Sequence, residues 1–305
     1  MDELVPSALA GQRLDRVVAM VTGLSRAEVS GLIAEGGVTV NGRSVTTRST
    51  RVVEGQRIVA DAAELLAAGD VALEGDVDVD FDVVYADDDL IVIDKPAGLV
   101  VHPGSGNLDG TLVQGLLSRY PEIAEVGQAG RPGIVHRLDK GTSGLLLVAR
   151  SAEAYDNLTA MLAAHEVERR YLTLVWGELE SLSGMVDAPI GRSAREPTRM
   201  TVSAQGKPAR TRYEVVATYR DPVLVSLLEC RLETGRTHQI RVHLRAIDHA
   251  VVGDTRYGGA KESFPFDRPW LHAAALRLTH PVTGAELAFD SPLPADLADS
   301  LTLLH

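Results

Sequence analysis

Asp139 is the residue whose neighbours best suit it to chemistry. It follows His136-Arg137-Leu138 and precedes Lys140-Gly141-Thr142-Ser143-Gly144, so one carboxylate stands among basic side chains in a glycine-bounded loop. Such a carboxylate can act as a nucleophile at carbon or as a proton acceptor. The plainer alternative is a turn-forming Asp paired with Lys140 or Arg137. Residues 133–135 and 145–148 are apolar, which predicts two short buried strands that present Asp139 at a strand end. Gly141 and Gly144 permit close approach of backbone to a ligand.

Two later segments offer partners. Within residues 169–177, strand alternation puts Tyr171, Thr173 and Val175 on one face. A tyrosine at a strand start packs its ring and leaves its hydroxyl wet. Residues 237–244 alternate as well, with Ile240, Val242 and Leu244 toward a core and Gln239, Arg241 and His243 on a polar face. That pattern predicts a strand with Arg241 directed at a charged partner, either in a surface ion pair or in a site. His238 and His243 fall on opposite faces of such a strand, and no third ligand stands at a supporting spacing, so no metal is expected. Lys140-Gly141-Thr142 lacks the preceding glycine of a nucleotide-binding phosphate loop, and no dinucleotide fingerprint is present.

The uninterrupted string His-Arg-Leu-Asp-Lys-Gly-Thr-Ser-Gly, followed by an aliphatic strand, resembles the signature of the RluA family of pseudouridine synthases. Arg169-Arg170-Tyr171, residues 235–243 and His280-Pro281-Val282-Thr283-Gly284 resemble later family motifs in the same order, so the resemblance covers roughly residues 80 to 305. It implies an α+β fold in which a mixed, largely antiparallel central sheet is flanked by helices and crossed by a catalytic cleft. It also implies Asp139 as the essential catalytic residue, Tyr171 stacked near the target base, and Arg241 paired with the Asp139 carboxylate. Arg137 is then the candidate to fill the space left by a flipped nucleotide. His136, Lys140, Arg236, His238 and Gln239 belong by the RNA, and no cofactor is needed. His102-Pro103-Gly104 reads as a turn, which the resemblance puts beside the site.

The elements that precede this region form a unit of their own. Residues 12–18 and 25–33 read as short amphipathic helices, the second with a capping box of Ser25 and Glu28, and Gly36-Gly37 stops it. Residues 38–45 read as a hairpin on an Asn41-Gly42 turn. Two helices feeding such a hairpin resemble the α-L RNA-binding module of a small-subunit ribosomal protein, which implies Arg26, Asn41 and Arg43 near phosphates. On the residues alone, these arginines equally well keep a small domain soluble.

Composition bounds the rest. The chain has 305 residues, 45% hydrophobic content and a net charge of −12. The acidity is local: residues 61–89 hold eleven Asp/Glu and no Lys/Arg, while both flanks are near neutral and leave room for basic patches at 192–212 and 231–245. This predicts a module over residues 1–61, an acidic linker over 62–80 and a catalytic domain over 81–305. No apolar run approaches the ~18 residues of a membrane span, and the start lacks a basic signal, so a cytoplasmic protein is expected with no membrane and no obligate protein partner. Cys230, the single cysteine, excludes an intrachain disulfide and reads as a core residue.

The expected function is isomerisation of uridine to pseudouridine in structured RNA. Large-subunit ribosomal RNA is the first choice and transfer RNA the alternative. A sugar hydrolase would want a second carboxylate, for which Glu233 is the only nearby acid. A non-catalytic RNA-binding factor would tolerate loss of Asp139.

Overall fold

The computed structural model describes residues 1–22, 26–61, 73–104, 107–193, 196 and 199–305, except for the side chains of residues 8 and 26–28. The chain divides into two compact units, Met1–Leu73 and Glu74–His305.

The first unit contains β1 (Asp2–Leu4), α1 (Leu14–Thr22), α2 (Arg26–Ala34), β2 (Val38–Val40), β3 (Arg43–Ser44) and β4 (Arg57–Ala60). Its sheet runs β1-β4-β2-β3, all antiparallel, over a core that includes Leu14, Val18, Ile33, Val38 and Ile58. The β2–β3 turn forms as the residue pair dictates. Asn41 at φ 50° and Gly42 at φ 76° both occupy the left-handed region that this two-residue hairpin turn requires. The capping box expected of Ser25 and Glu28 and the Arg26 side chain lie outside the described residues, as does the expected acidic linker as far as residue 72.

The second unit begins at Glu74, and over Gly75 to Asp82 the alternation of Asp with Val or Phe suggests the opening of a strand. No strand forms there: the chain turns at Val77-Asp78, and the Asp76 amide donates to the Gln114 carbonyl at 2.9 Å. Val79 and Phe81 turn inward onto α3 (Leu112–Arg119), where a side chain at Gly115 would overlap both, while Val77 is exposed. Strand pairing starts with β5 (Asp82–Ala86) and β6 (Leu90–Lys95). After α3 come a small hairpin, β7 (Gly127–Gln128) with β8 (Arg131–Pro132), then β9 (Ser143–Ala149), α4 (Ala152–Ala163) and β10 (Glu168–Trp176). The chain continues through β11 (Ser183–Asp187), β12 (Ile190–Arg192), β13 (Met200–Val202), β14 (Arg210–Tyr219) and β15 (Val225–Leu232), and ends with α5 (Gln239–Ala246), β16 (Leu271–Thr279), β17 (Glu286–Asp290) and α6 (Ala295–Leu301).

One nine-stranded sheet organises this unit, in the order β11-β14-β15-β10-β16-β9-β6-β5, with β17 added beside the far end of β16. Every pairing is antiparallel except β16 with β9, so the sheet is mixed and largely antiparallel. β9 is buried along its whole length because it lies inside the sheet with both faces covered, which explains its unbroken aliphatic run. Each Leu or Val buried there contributes about 1.5–3 kcal/mol relative to exposure. Gly144, at φ 108°, lets β9 approach β16: a Cβ there would lie 2.3 Å from the Ala273 carbonyl oxygen.

The His280 motif serves the fold. His280 Nδ1 accepts the Val282 and Thr283 amides at 3.2 and 3.0 Å and Nε2 donates to Asp87 Oδ2 at 2.9 Å, so the turn after β16 is tied to the turn between β5 and β6. The two helices on this part of the chain are capped, α3 by a capping box of Thr111 with Gln114 and α4 by Ser151. Among the described residues, no helix is long and apolar enough to cross a membrane.

Candidate active site

Asp139 sits in the loop that leads into β9. The loop closes on itself where the Thr142 amide donates to the Asp139 carbonyl at 3.0 Å. The apolar residues before it do not form the strand expected over 133–135; Ile134 makes a single bridge to Val148. The Asp139 carboxylate is largely enclosed, with 16% of the side chain exposed, and accepts a hydrogen bond from Arg241 Nη1 at 2.8 Å.

Arg241 reaches it from a helix and not from a strand. α5 begins directly after His238, which takes the left-handed φ of 56°, and residues 239–246 are helical. Six residues of apolar-polar alternation fit a helix nearly as well as a strand, and Gln, Leu and Arg favour the helix. The helix buries Ile240, Val242 and Leu244 but also Arg241 and His243. His243 lies between Thr211 Oγ1 and the Ala188 carbonyl, each 2.9 Å away, which leaves it no metal-binding role. Among the described residues, no cluster of three or more His, Cys, Asp or Glu could hold a metal ion.

Asp254 completes the arrangement. It accepts from Arg241 Nε at 2.6 Å and Nη2 at 3.0 Å, is fully buried, and also receives the backbone amides of Arg256 and Tyr257. The Arg241 guanidinium further lies 5.1 Å from the centre of the Tyr257 ring. Despite burial, the two carboxylates push Arg241 above its ordinary range. The Tyr257 hydroxyl accepts the Met200 amide at 3.1 Å and lies 2.8 Å from His238 Nδ1. If it donates there, the proton of His238 is on Nε2, which faces Asp139 Oδ1 at 3.9 Å.

Lys95, at the end of β6, is fully buried and donates to the Pro96 and Leu99 carbonyls at 2.7 and 2.9 Å. Burial pushes its ammonium down to about 7, and the nearby Asp139 carboxylate pulls against that shift.

A cavity of about 450 Å³ opens beside Asp139, and a hollow of about 50 Å³ adjoins it. Tyr171, on β10, lines both, and the alternation expected of that strand holds through Arg169, Tyr171 and Thr173, which are all buried. Burial raises the Tyr171 phenol above its ordinary range. Four arginines line the larger cavity, Arg131, Arg137, Arg169 and Arg236, against one acid, Asp139. A chain of net negative charge therefore carries a cationic site.

The other expected RNA contacts divide. Arg137, Arg236 and Lys140 are exposed, and Arg137 Nη1 lies 3.0 Å from His102 Nε2. Because His102 Nδ1 faces the Pro103 carbonyl at 2.9 Å, Nε2 is free to accept from that arginine. His136 lines the cavity, but its Nε2 accepts the Leu147 amide at 2.9 Å, and burial pushes it down to about 3, so it is neutral. Gln239 is a correction: it is buried, its Oε1 accepts from Thr234 Oγ1 and the Arg236 amide, and its Nε2 donates to the Arg210 carbonyl and Thr211 Oγ1. No part of its amide is left for RNA. Helical spacing on α4 would put both Leu158 and Leu162 in the core, but only Leu158 is fully buried, and Leu162 lines the cavity. In the first unit Arg43 is exposed, while Asn41 Oδ1 accepts the Arg57 amide at 2.8 Å and shapes its turn.

The basic patch expected over 192–212 is partly neutralised. Arg199 pairs with Glu196, Arg210 with Asp187 and Glu233, and Arg212 with Glu233, while Arg195 lies outside the described residues. Glu233 is thus a partner of arginines and not a second catalytic acid. Asp254, Lys95 and Arg169 were not anticipated as site residues. For Arg169 a signal existed, since it shares the strand face of Tyr171.

Comparison with known proteins agrees with this geometry. Residues 89–246 match the family described as RNA pseudouridylate synthase, and residues 12–58 match the S4 domain. The chain is 43% identical over 310 residues to "Ribosomal large subunit pseudouridine synthase D" of Vibrio parahaemolyticus, covering 96% of this chain and 91% of that protein. It is 44% identical to the protein of the same name from Nitrosomonas europaea, covering 99% and 87%. Among solved structures, "Human RNA Pseudouridylate Synthase Domain Containing 1" superposes with a TM-score of 0.58 at 29% identity, covering 74% of this chain and 89% of that one. A cationic cavity around a single held carboxylate, on this sheet and with these relatives, identifies the chain as a member of the RNA pseudouridylate synthase family.

Proposed function

We propose that this pseudouridine synthase isomerises uridine in large-subunit ribosomal RNA, with Asp139 as its catalytic residue. The observation that carries the reading is the Asp139 carboxylate held 2.8 Å from Arg241 inside a cavity lined by four arginines. The reaction breaks the bond between C1′ of the ribose and N1 of uracil and makes one from C1′ to C5. It needs one oriented carboxylate, a flipped nucleotide and a place to keep the base.

In this reading Asp139 acts on the sugar, either at C1′ as nucleophile or by helping to remove a sugar proton. Arg241 fixes which carboxylate oxygen faces the substrate. Tyr171 provides the surface against which the base turns, and Arg137, exposed at the cavity, enters the space left in the RNA stack. Lys140, Arg236 and His238 contact the RNA around the flipped nucleotide. Arg26 and Arg43 in the S4 region add phosphate contacts. The ribosomal substrate is supported by the names of relatives that match along almost the whole chain.

The test is tritium release from large-subunit ribosomal RNA labelled at C5 of uridine, with wild type and Asp139→Asn. Release by wild type alone is expected. Release from transfer RNA but not from ribosomal RNA would move the substrate, and release from neither would overturn the reading.

A further inference from the structure

Arg169 is the unexplained charge in this site. It is 5% exposed, its Nε has no hydrogen-bond partner, and its Nη2 reaches the Leu232 carbonyl only at 3.4 Å. Its neighbour on β10, Arg170, is surrounded by Glu168, Glu229 and Asp290. Among the described residues, Arg169 forms no ion pair with a carboxylate. A buried guanidinium without a counter-charge is costly, and such groups persist where a ligand supplies the missing partner.

The space around it is built for such a ligand. Arg169 lines the cavity with His136, Tyr171, Leu232 and Gly235. At Gly235 a Cβ would lie 3.0 Å from Arg169 Nη1, so the glycine leaves the guanidinium room. The other lining arginines, Arg131, Arg137 and Arg236, are exposed, and water screens them. Arg241 is already engaged by Asp254 and Asp139.

The chemistry creates the missing charge. When the C1′–N1 bond breaks heterolytically, its electron pair stays with uracil and spreads over N1 and the two ring carbonyl oxygens. The base is then an anion attached to nothing. It turns, and C5 attacks C1′ as the C1′–Asp139 bond breaks in the nucleophilic route, or as the removed sugar proton returns in the elimination route; the C5 proton then leaves to solvent and N1 takes up a proton.

We propose that Arg169 binds the ring oxygens of uracil and is the counter-charge that stabilises and retains the detached base. The proposal rests on reading the Asp139 cavity as the uridine site. The bound uridine is neutral and the detached base is charged, so the contact strengthens as the bond breaks and acts on kcat rather than on binding.

The test compares wild type, Arg169→Met and Arg169→Lys on the C5-tritiated large-subunit ribosomal RNA transcript. At saturating enzyme, Arg169→Met should release tritium about 100-fold more slowly, in line with loss of one donor to a developing anion. Its Kd for the transcript and the salt dependence of that Kd should stay within twofold of wild type. Arg169→Lys, which keeps the charge, should recover part of the rate. With a transcript carrying ring-labelled uracil, Arg169→Met should release a larger share of free labelled base per turnover than wild type.

Weaker transcript binding with a salt slope lower by about one and an unchanged saturating rate would overturn the proposal and assign Arg169 to a phosphate. Equal rate loss in both variants with a matching fall in Tm would also overturn it, as a structural effect. Failure of wild type itself to release tritium would instead be a failure of the underlying uridine reading.

Discussion

Asp254 grips Arg241 through two parallel hydrogen bonds, from Nε at 2.6 Å and Nη2 at 3.0 Å, which leaves Nη1 to meet Asp139. The guanidinium therefore has one orientation, fixed before substrate arrives. Asp254→Asn should weaken that grip and leave a buried cation poorly compensated. We expect a loss of stability of about 3–5 kcal/mol, as for a broken buried pair. A fall in the single-turnover rate should persist at temperatures where the variant is fully folded. Denaturant unfolding and tritium release on the same preparation check both, and an unchanged rate in a folded variant would sink the positioning role.

The acid limb of stability should carry the mark of His136. Its folded pKa lies near 3, below the 6.5 of the free side chain, because burial disfavours the charged ring. Between these values the unfolded chain binds a proton that the folded chain refuses, so folding stability falls as pH drops from about 6.5 toward 3. His136→Gln keeps an acceptor for the Leu147 amide but cannot titrate. Its stability should fall less steeply between pH 6.5 and 4.5, by about 1.4 kcal/mol per pH unit at most. Parallel slopes for the two proteins would refute this.

Cys230 offers a probe of opening. It is fully buried on β15, and burial pushes its thiol up to about 12, so the native chain should resist thiol reagents. Labelling should proceed only through unfolding of the central sheet, with a rate independent of reagent concentration at high concentration. Fast labelling proportional to reagent under native conditions would contradict that burial.

Gly144→Ala should be among the most damaging single-methyl changes in the chain. The added carbon would meet the Ala273 backbone at 2.3 Å at a φ of 108°. A cost of about 3 kcal/mol is expected from overlap and strain, equivalent to a drop in Tm of roughly 6–12 °C for a unit of this size. A Tm within 2 °C of wild type would show that β9 and β16 can part without loss.

The parts of the site legible in the sequence were those carried by contiguous residues. Asp139 stood in an unbroken motif, Tyr171 followed the period of its strand, and the Asn41-Gly42 pair specified its turn through φ alone. What stayed hidden was carried by residues brought together from afar. Asp254 contacts Arg241 from a loop with no periodicity to mark it. Residues 239–244 alternate in a way that six positions cannot assign to helix or strand, and tertiary packing decided it. Gln239 looked like a polar contact for a partner because nothing local reveals that Arg210 and Thr211 already occupy its amide.

β16 pairs with β10 on one side and with β9 on the other, and so joins two sets of strands that are both made earlier in the chain. During synthesis, at roughly 5–20 residues per second, both neighbours wait for seconds before β16 is available. Through that interval the nascent chain holds two open sheet edges, which are the surfaces most prone to wrong pairing. The Asp139 loop is likewise exposed before Arg241 and Asp254 have been made. The enzyme is completed from its margins inward, and a ribosome making it has no working site to release until β16 has been made.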